Sequence, residues 1–223
     1  MKKFPLSTLL SRGASLLAPI GLAACLVGCA SGPPPQELTL QSSAQKQTFS
    51  QQFASAYLSR GGDGDVDVVL VDQAAQQRLD GRQGSAPTQQ VMHLRVLWNP
   101  KRDQKADHNS ASNATVHWYV MGNTPASEGD VLEYAGTAFV SIDDSTPAEL
   151  TIRNASVHPV ACRGDLCDPV GPSIISGTIH AHSNRQRVRQ VLSSVRTAVA
   201  TATALPTHAS SSAKPESPSS LAR

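Results

Sequence analysis

The sequence predicts a two-layer α+β domain: an antiparallel sheet of about five or six strands, with an N-terminal and a C-terminal helix on one face. Three observations lead there. Six segments in the middle of the chain alternate apolar and polar residues with period two. The segments before and after them repeat apolar residues at helical spacing. The chain has 223 residues, 39% apolar and 16% charged, which suits one domain with tails and excludes a wholly disordered chain or a coiled coil. No segment repeats at a fixed period, so a solenoid or propeller is not expected.

The first element is an export signal. Met1-Lys2-Lys3 and Arg12 are positive, and Gly13 to Gly28 runs sixteen residues without a charge. A membrane-spanning helix needs about 20 apolar residues, so this run is short, and Pro19 and the glycines weaken it further. Two tetrapeptides end it, Leu22-Ala23-Ala24-Cys25 and Leu26-Val27-Gly28-Cys29. Both resemble the lipobox of bacterial lipoprotein precursors, a Leu, two small or aliphatic residues and a Cys. The resemblance covers only about the first thirty residues. It implies cleavage before the Cys and its modification with a diacylglyceryl group. Cys29 is the preferred lipidation site, because the polar, flexible run from Ala30 to Gln36 follows it. Cys25 is the alternative, but it would begin the mature chain with Leu26-Val27-Gly28. In diderm bacteria that resemblance also implies the outer membrane, facing the periplasm, since Ala30 rather than Asp follows the Cys.

Removing Lys2, Lys3 and Arg12 with the signal leaves 16 basic against 17 acidic residues, a net charge of −1. The apparent basicity belongs to the signal, and a nucleic-acid partner is not expected.

The remaining elements follow in order. Residues 1–28 read as signal peptide, 29–44 as a Pro-, Ser- and Gln-rich tether, 45–204 as a single domain and 205–223 as a disordered Pro- and Ser-rich tail. Phe49, Phe53 and Tyr57, at i, i+4 and i+8, predict an amphipathic helix over 45–59, stopped by Gly61-Gly62. Strands are predicted at Asp65–Val71, Val91–Trp98, Thr115–Met121, Val131–Ile142, Glu149–Val157 and Ile174–His182. Gln73–Gln90 reads equally as a short helix or a loop, and Asn99–Ala114 as a long polar loop. Val188, Val191, Leu192, Val195 and Val199 form the stripe of a final helix, which Ser183 or Asn184 can cap.

Catalytic signatures are lacking. There is no phosphate-binding loop, dinucleotide fingerprint, zinc-protease motif or nucleophile elbow, and no cofactor is implied. Asp63, Asp65 and Asp67 miss the calcium-loop pattern at Val68 and Ala74 and read as a turn entering a strand. Cys162-x4-Cys167-x12-His180-x-His182 approaches zinc-finger spacing, but its last interval is too short. His180 and His182 would share one strand face, and His93 and His117 could join them as metal ligands. In an exported chain, Cys162 and Cys167 are the only thiols left after cleavage and lipidation, so a disulfide between them is expected.

The sequence therefore predicts an envelope lipoprotein with a soluble binding or assembly module. Its expected partners are the membrane, through the lipid, and an envelope protein. The alternative is an envelope hydrolase or metal-binding protein working from the histidine-bearing sheet face.

Overall fold

The computed structural model describes residues 36–82, 86–99, 111–127, 129–166, 168 and 170–204. The six predicted strands are present as β4 (Val66–Val71), β5 (Thr88–Val96), β6 (Ala114–Gly122), β7 (Val131–Asp143), β8 (Ala148–Arg163) and β9 (Ser173–Ser183). Three further strands precede them: β1 (Gln36–Ser42), β2 (Gln47–Phe53) and β3 (Ser55–Arg60). The Gln-rich stretch resolves into α1 (Gln73–Leu79), and the chain's last described element is α2 (Arg185–Ala204).

These strands do not form the two-layer α+β fold that the sequence predicts. Each strand from β3 to β8 pairs antiparallel with its successor, and β9 then returns to β3. That last contact is parallel, with Tyr57 opposite His182 and Leu58 opposite Ser183. The sheet thus closes on itself as a barrel, which removes the edges an open sheet would expose. The β1–β2 hairpin lies against the first part of β9, with Thr39 to Ser42 opposite Ser176 to Ser173.

The N-terminal helix is likewise absent. Offsets of four and eight residues fit a period of two as well as one of 3.6, and here the strand wins. Phe53 and Ala56 are both buried, three residues apart, so the side-chain alternation slips between β2 and β3. The slip falls at Ala54, whose N–H donates to the Val71 carbonyl (2.8 Å). Phe49 is consequently exposed, Phe53 enters the barrel and Tyr57 faces outward toward α1, where its hydroxyl donates to Gln76 Oε1 (3.0 Å). The tether reading of 29–44 also changes. Leu38 and Leu40 are buried between the exposed Glu37, Thr39 and Gln41, so β1 belongs to the sheet.

The apolar faces point into the barrel. Leu70, Met92, Leu94, Val116, Leu132 and Ile179 belong to one buried cluster. Within it Trp118 and Tyr134 stack at 4.8 Å. Both polar ends of this pair are satisfied: Trp118 Nε1 donates to Gln90 Oε1 (3.1 Å), and the Tyr134 hydroxyl donates to Asp168. Burial, with the Asp168 carboxylate beside it, pushes the Tyr134 phenol far above its ordinary range.

The C-terminal helix covers the opposite face of the sheet from the one expected. Val188, Val191 and Val195 of α2 pack on Val69, Val71, Val91, Met121 and Val131, whose side chains point out of the barrel. Strand β4 is therefore buried on both faces, which explains its run Val68-Val69-Leu70-Val71. Asn184 caps α2, its Oδ1 accepting from the Arg187 N–H (3.0 Å). Asp72 caps α1 and also accepts from the Gln90 N–H (2.9 Å), which ties that helix to β5.

Where β6 ends, two amide side chains continue its work along β7. Asn113 donates to the Val140 and Trp98 carbonyls and accepts from the Val140 N–H, all at 2.7 Å. Asn99 makes the equivalent pair with the N–H and carbonyl of Ile142, both at 3.0 Å. Each amide supplies the donor and acceptor that a neighbouring strand would have provided.

Candidate functional site

Because side chains fill the barrel, the residues able to meet a partner lie on its outside. The outer surface of β4 to β7 carries a group of two histidines and two carboxylates. Register places His93 directly opposite His117 on the next strand. Adjacent strands hold opposed side chains about 5 Å apart, so the two imidazoles are neighbours.

Each imidazole has its own carboxylate. His93 Nε2 donates to Asp67 Oδ1 (2.8 Å), and His117 Nδ1 donates to Glu133 Oε1 (2.9 Å). A carboxylate only accepts, which fixes the proton on those nitrogens. Burial holds His93 below the ordinary histidine range despite the pull of Asp67, and His117 and Arg95 push the same way. At neutral pH this shift favours a hydrogen bond from a neutral ring over an ion pair at His93. Tyr119 stacks on His117 at 6.1 Å. Burial, reinforced by the Glu133 carboxylate, pushes its phenol up to about 12.

His180 and His182 do not join this group. They lie on β9, whose neighbours are β8, β1 and β3, away from β5 and β6. His182 lines a cleft of about 280 Å³ at one end of the barrel, beside the ion pair of Arg60 and Asp144. Closure of the sheet thus separates the four histidines into two pairs. Among the described residues no three His, Cys, Asp or Glu side chains are placed to hold a metal ion.

The other predicted residues fall as follows. Asp65 pairs with Arg95 (3.0 Å) and Asp67 with His93, so both are engaged with β5. Cys162 is exposed at the end of β8, its Sγ 2.7 Å from the Leu166 carbonyl oxygen, while Cys167 lies outside the described residues. Cys25, Cys29 and the tail 205–223 also lie outside them. No described helix is long and apolar enough to cross a membrane.

Two features escaped the sequence reading. Asn113 sits at the end of a loop whose polar composition gives no sign of a buried amide. Gln89 precedes a recognised strand, and stepping back in twos from outward-facing Val91 and His93 would have placed it under α2. Comparison with protein-family models, curated proteins and solved structures gives no match.

Proposed function

We propose that the chain is an envelope lipoprotein, anchored by a lipid at Cys29, whose barrel works as a binding or assembly module from its outer surface. The observation that carries this reading is Leu26-Val27-Gly28-Cys29 closing a sixteen-residue uncharged run behind a positive N-terminus. A diacyl chain gives stable anchoring where a single chain would not.

The fold adds support on two counts. The barrel interior is occupied by packed side chains, so recognition belongs to the exterior. Strand β1 begins at Gln36, seven residues after Cys29. A fully extended chain spans at most about 3.6 Å per residue, so the barrel would be held within roughly 25 Å of the lipid. That short leash suits a partner at the membrane surface. It also suits an outer-membrane protein facing the periplasm.

Cell fractionation and mass spectrometry of the mature N-terminus test the proposal. The Cys29→Ser change is expected to release the protein from membranes or stall its processing, and the wild-type N-terminal peptide should carry acyl groups on Cys29. An acylated peptide beginning at Cys25 would overturn the site, and an unmodified membrane-free wild type would overturn the anchor.

A further inference from the structure

Five polar side chains are buried among the described residues: Gln36, Ser42, Gln89, Asn113 and Ser173. Four have evident work. Gln36 Oε1 accepts from the His180 N–H (2.7 Å), Ser42 Oγ donates to the Val170 carbonyl (2.5 Å) and Ser173 Oγ to the Gly171 carbonyl (2.9 Å). Asn113 completes the β7 ladder. Gln89, only 4% exposed, has no side-chain hydrogen bond among the described residues. A nearly buried amide with no protein partner calls for an explanation.

The explanation lies in front of it. Among the described residues no fully enclosed side-chain nitrogen or oxygen lacks a partner, so the Gln89 amide opens onto the space beside it. That space is a cleft of about 220 Å³ between α2 and the ends of β5 to β7, lined by Arg78, Gln89, Asp130, Ser193, Ser194 and Thr201. Neither the Arg78 guanidinium nor the Asp130 carboxylate has a partner among the described residues. A smaller pit of about 40 Å³ adjoins the cleft, sharing Arg78, Gln89, Met121 and Ser194 and floored by Val71, Val91 and Val191.

We propose that this cleft binds a free amino acid with a small aliphatic side chain. Its carboxylate would meet Arg78, its ammonium Asp130, and the Gln89 amide would bond the head group where it is shielded from water. The aliphatic tip would enter the valine-floored pit. At the roughly 30 Å³ that a water molecule takes up in the liquid, the cleft has room for about seven such atoms, close to the size of valine. A ligand with one charge would leave Arg78 or Asp130 unanswered, which is why a zwitterion fits better than a simple acid or amine.

This inference names a ligand for the binding module proposed above. It is tested apart from the anchor, since the Cys29→Ser experiment reads location and not ligand. The purified full chain, labelled with ¹⁵N, is titrated with valine and followed by NMR. The Gln89 side-chain amide signals are expected to shift saturably, with a dissociation constant of about 1 mM or tighter. Isobutyrate and isobutylamine, each keeping one charge, should bind at least about tenfold more weakly than valine.

Arg78→Gln should weaken valine about tenfold while leaving isobutylamine unchanged, and Gln89→Leu should abolish the valine-dependent shifts of the Gly122 and Ser194 backbone amides, which line the same cleft. Arg78 is exposed and has no partner among the described residues, so its variant should melt with the wild type even if the buried change at Gln89 disturbs folding. No saturable shift up to about 10 mM valine, a threshold on the scale of the weakest specific affinities, would overturn the proposal. So would equal affinity for valine in wild type and Arg78→Gln.

Discussion

Replacing Asn113 by alanine isolates what a side-chain amide does when it stands in for a strand. Asn113 is 1% exposed and Val140 fully buried, so no water reaches the Val140 N–H or carbonyl once the amide is gone. A buried backbone group left without its partner loses about 1–3 kcal/mol, so the two together should cost about 2–5 kcal/mol. The Trp98 carbonyl adds little, since Trp98 is largely exposed and water can replace the lost bond. Asn99 offers the internal control. It makes the same two-point contact with Ile142, but from an exposed position, so Asn99→Ala should cost about 1 kcal/mol or less.

For a domain of this size each kcal/mol moves the melting temperature by about 2–4 °C. Thermal melts followed by circular dichroism should therefore fall by roughly 5–15 °C for Asn113→Ala and under about 4 °C for Asn99→Ala. Asn113→Asp keeps the acceptor but aims carboxylate oxygen at the Val140 and Trp98 carbonyls. It should be destabilised at neutral pH and recover in part as acid restores one O–H donor. If the two alanine variants melt within 2 °C of each other, about 1 kcal/mol or less, the ladder argument fails.

Three further outcomes are expected. A Cβ on Gly136 would lie 1.7 Å from the Ser156 carbonyl oxygen across the β7–β8 pair, so Gly136→Ala should cost more than about 3 kcal/mol; a melt close to wild type would contradict that contact. Because burial holds folded His93 below its ordinary value, the unfolded chain binds the extra proton first. The resulting stabilisation is complete above about pH 6.5 and is lost as pH falls through the lower folded value. Urea midpoints measured from pH 7 to 5 should accordingly be flatter for His93→Gln, and an unchanged slope would remove His93 from the account. Thiol labelling of the non-reduced mature chain should find neither Cys162 nor Cys167 reactive, and closing so short a loop should contribute only about 2 kcal/mol. Two reactive thiols in oxidatively purified protein would sink the disulfide.

How much of the barrel could be read from the sequence depends on which face each strand shows to what. Strands β5, β6 and β9 alternate cleanly, because one face is packed inside and the other is wet, and their boundaries came within a few residues. Strand β2 gives no such contrast, since nearly all of Gln47 to Gln52 is exposed. Strand β1 has only Leu38 and Leu40 to mark its buried face, within a Pro-, Gln- and Ser-rich stretch. Closure is harder still. It rests on Tyr57 and Leu58 meeting His182 and Ser183, residues more than a hundred positions apart, and no local period encodes that pairing. The clue that the sequence did hold was the apolar run in β4. A strand buried on one face does not need Val69 and Val71 as well as Val68 and Leu70.

The histidines show the same division between local and distant information. Placing His93 and His117 on one face required only that two successive strands pair, and their register does bring them opposite one another. Adding His180 and His182 required knowing how far around the sheet β9 stands, and closure carries it away. The neighbouring glutamines turn on a single step of phase. Gln90 points into the barrel and accepts from Trp118, while Gln89 points out beneath α2 and meets only the cleft. Period two separates the faces of that pair, but it cannot reveal that one face supplies an indole and the other an open space. The tertiary structure alone makes one amide a piece of the core and turns the other toward a cleft that an arginine and an aspartate also line, which is why the proposed ligand site rests on the placement of Gln89 and not on any motif.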